Sequence, residues 1–267
     1  MTFRVGLLLV SLALAAALVG PWLVPHDPAE QELARRLERP STAHPFGLDE
    51  LGRDVLSRIL TGARVSLAVG LSVVIVSSTV GLVVGLLAGY LGKGVDLAVS
   101  RLMDLLMAFP GILLAIALVA VRGPSIGNVI AALSVIGWVG YARLVRSQVL
   151  KLREVEYVQA ARALGASVPV ILVRHVLPAT LPTLVVQATL GMAGAIIAEA
   201  SLSFLGLGVQ PPTPSWGAML DAGRAHLIDA PHLTVFPGLS IAALVIGFNL
   251  LGDGLRDVID PTRSHVR

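Results

Sequence analysis

The chain contains no cysteine, which excludes a disulfide framework and any thiolate metal site. Charge and aromatic surface are both scarce. Only 14% of the 267 residues are charged and 4% are aromatic. A net charge of +3 and a pI near 9.8 would suggest a nucleic-acid partner. The charges, however, cluster at the ends of apolar runs, and stacking aromatics are few, so no nucleic acid is expected. Catalytic signatures are missing too. His26, His44, His175, His226, His232 and His265 form no HExxH and no pair at metal-ligand spacing on one helix. There is no GxSxG nucleophile elbow, and no histidine lies deep in an apolar run as an intramembrane serine protease would need. Gly92-Lys93-Gly94 is not a phosphate loop, because Leu87 and Gly94 occupy positions where a Walker A motif needs Gly and Ser or Thr. No catalytic residue, metal or cofactor is expected, and any ATP-Mg would sit on another chain.

What the chain has is apolar length. It is 55% hydrophobic with a mean hydropathy of +0.83, too apolar for an ordinary soluble domain. Runs at 5–24, 65–92, 95–121, 123–142, 180–205 and 233–252 are candidate transmembrane helices. The expected fold is an all-α membrane protein with six spans. Three segments follow: a first span over 1–24, an external loop over 25–63, and a core domain over 64–267 carrying five spans, a polar loop at 143–179 and a short tail. The first run is longer than a signal-peptide core, so an uncleaved span is expected, with Pro21 and Trp22 at the interface.

Within the external loop, residues 44–60 read as an amphipathic helix. Leu51, Val55, Leu56, Ile59 and Leu60 make one face, and Asp49–Arg53 and Asp54–Arg58 are supportive i,i+4 pairs. Gly81, Gly85 and Gly89 repeat every four residues and suit close helix contact inside the bundle. Pro110 is expected to kink the third span, near whose start Arg101 and Asp104 are spaced to pair. Trp216 is a candidate interface anchor in the loop after the fifth span. Asp104, Glu199 and Asn249 are the polar groups that could line a pathway. Each also has a structural reading: Asn249 as a buried interhelical amide, and Glu199 paired with Arg64 or Arg122.

The polar, helix-prone stretch 154–182 organises the rest. Tyr157, Ala160, Ala161 and Leu164 fall on one face, and Glu154 and Glu156 favour the positive end of a helix dipole. Gly165 sits at a C-terminal glycine position, Ser167 can cap a second short helix, and Pro178 is expected to stop it. Arg143, Arg146, Lys151 and Arg153, just upstream, place this loop in the cytoplasm by the positive-inside rule. Six spans then put both termini there.

Gln159-Ala160-Ala161, three residues, Gly165, nine residues, His175, one residue and Leu177-Pro178 resemble the EAA motif of bacterial importer permeases, the membrane subunits of binding-protein-dependent ABC transporters. Gln159 stands for the family's usual Glu, and His175 for its usual Ile. The wording HPFG-D--GRDVLSR from His44 and the run from Glu199 to Leu220 resemble the dipeptide/oligopeptide branch, second permease subunit.

The resemblance implies the type I ABC importer permease fold in a bacterial or archaeal cytoplasmic membrane. It also implies a coupling helix that rests on an ATPase. The positions it carries over are Glu156, Tyr157, Gln159, Ala160, Ala161, Arg162, Leu164, Gly165, Leu177 and Pro178. Implied partners are a homologous permease, two ATP-binding cassette subunits, an extracytoplasmic substrate-binding protein and lipid. The implied substrate is a di- or oligopeptide, with nickel or an oligosaccharide as alternatives in the same family. A stand-alone ion-driven secondary transporter is the reading from another class.

Overall fold

An apolar chain in lipid must satisfy its own backbone, and an α-helix does so within one segment. The computed structural model describes residues 2–259, with the side chain of Pro21 left out. Ten helices follow in order: α1 (Thr2–Leu23), α2 (Val55–Leu91), α3 (Lys93–Met107), α4 (Gly111–Arg122), α5 (Ile126–Leu152), α6 (Glu156–Ala163), α7 (Val168–Ile171), α8 (Leu177–Phe204), α9 (Trp216–Gly223) and α10 (His232–Ile259). Among the described residues there is no β-strand, only an isolated bridge between Leu48 and Asp54. Five continuous stretches are long and apolar enough to cross a membrane, and α3 with α4 makes a sixth if that bent pair counts as one span. The tail from 260 onward, with Arg263, His265 and Arg267, lies outside the described residues.

The core forms where α2, α5, α8, α10 and α1 meet. The glycine stripe of α2 works as its spacing predicts. A Cβ at Gly85 would lie 2.7 Å from the Ala142 carbonyl oxygen, and one at Gly89 would lie 2.7 Å from Val149 Cβ. Only a hydrogen side chain lets α2 and α5 approach this closely. At 37 residues, α2 is about 55 Å long, well beyond a hydrocarbon core of about 30 Å. It is therefore longer than one perpendicular crossing requires.

Several sequence expectations change. Residues 44–54 are not helical. Asp49 accepts hydrogen bonds from the backbone N–H groups of Leu51 and Arg53, both at 2.9 Å, and Gly52 adopts φ +75°. An Asp bonded to its own following backbone competes with helix formation. The Asp49–Arg53 pair does form, at 2.7 Å, but as a buried loop contact that Arg58 joins from 3.4 Å. Asp54 does not pair with Arg58 as expected. It caps α2 by accepting from Ser57 N–H at 2.7 Å, so the apolar residues from Val55 onward are the first turns of the second span.

The third span breaks rather than kinks, with 82° between α3 and α4. Proline has no N–H, and its ring disfavours a helical residue before it. Pro110 accordingly sits at the N-cap of α4. Asp104 pairs with Arg143 at 2.7 Å instead of with Arg101. The fourth span runs on to Leu152, so Arg143, Arg146 and Lys151 ride on a helix rather than a loop. Pro178 does not stop a helix. A π-helical turn (Leu172–Val176) joins α7 to α8, and Pro178 stands in the first turn of α8, within one continuous stretch from Val168 to Phe204. Trp216 is no surface anchor: it is 3% exposed and donates from Nε1 to the Ile59 carbonyl at 3.0 Å.

Candidate functional site

A helix as short as α6 cannot hold itself together in water, so its neighbours must fix it. Val158, 1% exposed, is the anchor. It enters a cluster with Tyr141, Val145 and Val149 of α5, Ile171 of α7, and Leu172 and Val176 of the π turn. Ala161, one turn on, packs against the same cluster. The expected face of Tyr157, Ala160, Ala161 and Leu164 is therefore divided. Ala161 turns partly inward, while the other three stay exposed, Leu164 at 89%. Sequence spacing missed Val158, although its i,i+3 relation to Ala161 is the apolar pair that could have revealed it.

The end of α6 is a Schellman motif. Gly165 has φ +80°, its N–H donates to the Arg162 carbonyl at 3.0 Å, and Ala166 N–H donates to the Ala161 carbonyl at 3.1 Å. A left-handed residue at this point is what glycine supplies without steric cost. Ser167 occupies the N-cap of α7, but its side chain makes no capping bond. Gln159 donates from Nε2 to the Glu154 carbonyl at 3.2 Å. A carboxylate could not make that bond, so the amide has a local task in tying α6 to the turn before it.

Other contacts fix the loop to the bundle. Arg153 donates to the Gly89 carbonyl at 3.3 Å, and Tyr157 Oη donates to the His175 carbonyl at 3.4 Å. Arg146 makes a two-pronged pair with Asp96, its Nη2 lying 2.8 Å from Oδ2. The polar C-terminal extension of α5 is thus braced against α3, and α6 hangs directly from it. Glu156, Gln159 and Arg162 are exposed, as is Pro178, and Leu177 is half-buried. Beside α6 lies a groove of about 930 Å³ lined by Gly92, Lys93, Arg153, Glu154, Gln159 and Arg162. Three cations against one carboxylate make it net positive.

The three pathway candidates occupy separate environments. Asp104 is exposed and held by Arg143. Asn249 is exposed on α10 and not the buried amide expected. Glu199 is 1% exposed and accepts from Ser203 Oγ at 2.8 Å, with Ser66 and Ser215 beside it. Its neighbours are hydroxyls and not Arg64 or Arg122, both of which are exposed. A cavity of about 280 Å³ opens elsewhere, between α2, α5 and α8, lined by Ser77, Gly137, Gly140, Tyr141, Gln187 and Gly191.

Comparison with known proteins adds to this geometry. Residues 81–265 match the family model described as binding-protein-dependent transport system inner membrane component. The chain is similar to the dipeptide transport system permease protein DppC of Alkalihalophilus pseudofirmus, at 46% identity over 96% of this chain and 84% of that one. It is also similar to the glutathione transport system permease protein GsiD of Shigella dysenteriae serotype 1, at 49% identity over 95% and 84%. Among solved structures, an inward-facing MetNI methionine ABC transporter matches with TM-score 0.59 and 21% identity, over 76% of this chain and 97% of that chain.

Proposed function

This chain belongs to the family of binding-protein-dependent transport system inner membrane components, and from that premise we propose that α6 passes the work of ATP hydrolysis into the span bundle to drive peptide import. The protein is a multi-pass permease subunit of an ABC importer and not an enzyme, since hydrolysis belongs to partner ATPase chains. Permeases of this family work with a second permease, ATPases and a binding protein. Here the partners are read as one homologous permease, two ATPase subunits and one extracytoplasmic binding protein. Short peptides are the substrate class, by similarity to the dipeptide and glutathione permeases.

One observation carries the coupling role: a short helix with a buried anchor at Val158 and an apolar outward face at Leu164. An exposed leucine on a rigidly held helix is suited to a pocket on a partner. The positive groove beside it would accept acidic side chains of the same ATPase. In this reading α6 and both termini are cytoplasmic, the chain divides into first span, external loop and core domain, and Leu177 and Pro178 serve as the hinge behind α6. Motion of α6 passes through Val158 into Val149, Val145 and Tyr141, which climb α5 toward the cavity between α2, α5 and α8. That cavity is the pathway face in this reading, and Glu199 braces α9. ATP and peptide can drive such a cycle only by each favouring one state of the bundle.

The test is uptake of labelled dipeptide and glutathione by proteoliposomes holding the whole importer. Uptake that needs ATP and the binding protein supports the proposal. Uptake driven by an ion gradient with no nucleotide contradicts it.

A further inference from the structure

We propose that His26, His44 and Asp54 bind one divalent transition-metal ion of the zinc type on the loop side of the bundle opposite α6. One donor atom from each of the three lies within 4.8 Å of the other two. His44 and Asp54 are 5% and 2% exposed, so this is a built site and not a chance surface grouping. Spacing along one helix could not reveal it, because the donors come from two loop positions and a helix cap.

The surrounding bonds prepare the donors. His26 Nε2 lies 3.1 Å from the Ala43 carbonyl, which can only accept, so that nitrogen holds the proton and Nδ1 keeps a free lone pair. His26 N–H donates to Ser57 Oγ at 3.3 Å, fixing the backbone beside the first turn of α2. Metal-binding histidines are ordinarily held in this way, through the other ring nitrogen on a carbonyl or carboxylate. Asp54 divides its oxygens: Oδ2 caps α2, and Oδ1 accepts from His44 Nδ1 at 2.9 Å. The two imidazole rings stand 4.5 Å apart, tilted by 34°.

The ion takes the place of the proton between His44 Nδ1 and Asp54 Oδ1. The His44 ring keeps a proton by carrying it on Nε2, so the exchange is balanced. Two imidazole nitrogens and one carboxylate oxygen suit zinc(II), and a water completes four-coordination. Ligand distances of about 2.0–2.2 Å require the donors to close slightly, by side-chain rotation. The consequence is a clamp. The ion joins the stretch after α1, the middle of the loop and the cap of α2, and so stiffens the region that faces an arriving binding protein.

The full chain, purified without a histidine tag in lipid nanodiscs and stripped with a chelator, is titrated with zinc chloride by calorimetry. One equivalent per chain and a rise in Tm are expected. His26→Ala leaves the His44–Asp54 pair and the α2 cap intact. It should weaken zinc binding at least about tenfold, the smallest effect usual for disturbing such a shell. His226→Ala, at the exposed His226–Asp229 pair, should bind as the unaltered chain does. The proposal is overturned if no equivalent binds, if His26→Ala binds zinc unchanged, or if His226→Ala is the variant that loses it.

Discussion

Truncating Val158 separates holding α6 from docking α6. Val158→Ala leaves Tyr157, Ala160 and Leu164 on the outward face but removes two methyl groups from a fully buried site. The transfer term is about 1.6 kcal/mol at about 0.8 kcal/mol per methylene, and the cavity left behind raises the total to about 2 kcal/mol. That is a factor of about 30 in the equilibrium between the seated helix and a loosened one. An eight-residue helix has little stability of its own to resist the change. The assembled importer should therefore keep its ATPase rate while peptide delivered per ATP falls severalfold. Both are measured on the same proteoliposomes, with radiolabelled dipeptide inside and phosphate released outside. An unchanged peptide-to-ATP ratio in a complex of normal composition would refute the idea that Val158 carries the motion.

Gly165→Pro deletes the N–H bonded to the Arg162 carbonyl and cannot adopt φ +80°, so it should abolish coupled uptake while membrane levels stay normal, as quantitative blotting would verify. Gly85→Val forces atoms into the Ala142 carbonyl and Val145. It should lower the Tm of the purified complex and its yield, and a wild-type melting curve would contradict the α2–α5 contact. Glu199→Ala removes the acceptor for Ser203 and should cost about 1–3 kcal/mol of stability. Uptake per folded complex should hardly change, whereas a pathway role would lower it at unchanged Tm.

The loop that carries α6 is legible in the sequence because its signals are local. Gly165 needs a left-handed backbone, and the spacing from Gln159 to Pro178 can be read without knowing any distant contact. Val158 was not, because which side of α6 faces inward depends on α5 and on the π turn, neither visible in the polar pattern. The polar extension of α5 looked like a loop for the same reason. Arg143 and Arg146 find Asp104 and Asp96 across 39 and 50 residues, and that pairing allows charged turns to continue a helix. In the first loop the i,i+4 spacing of Asp49 and Arg53 was real but had another origin, a turn closed on Gly52 with positive φ. Glu199 reads as a buried acid from its apolar run, and Ser203 lies one turn on along the same helix, but Ser66 and Ser215 come from α2 and the cap of α9 and cannot be read from local spacing.

Whether α6 meets the ATPase can be measured directly, because the chain has no cysteine. Leu164→Cys and Ile228→Cys, both at strongly exposed positions, are each the sole thiol of their permease chain. Each is treated, in the intact importer, with a short thiol-to-amine cross-linker. A permease–ATPase adduct from Leu164→Cys and none from Ile228→Cys is the predicted result. An adduct from Ile228→Cys with none from Leu164→Cys would contradict it.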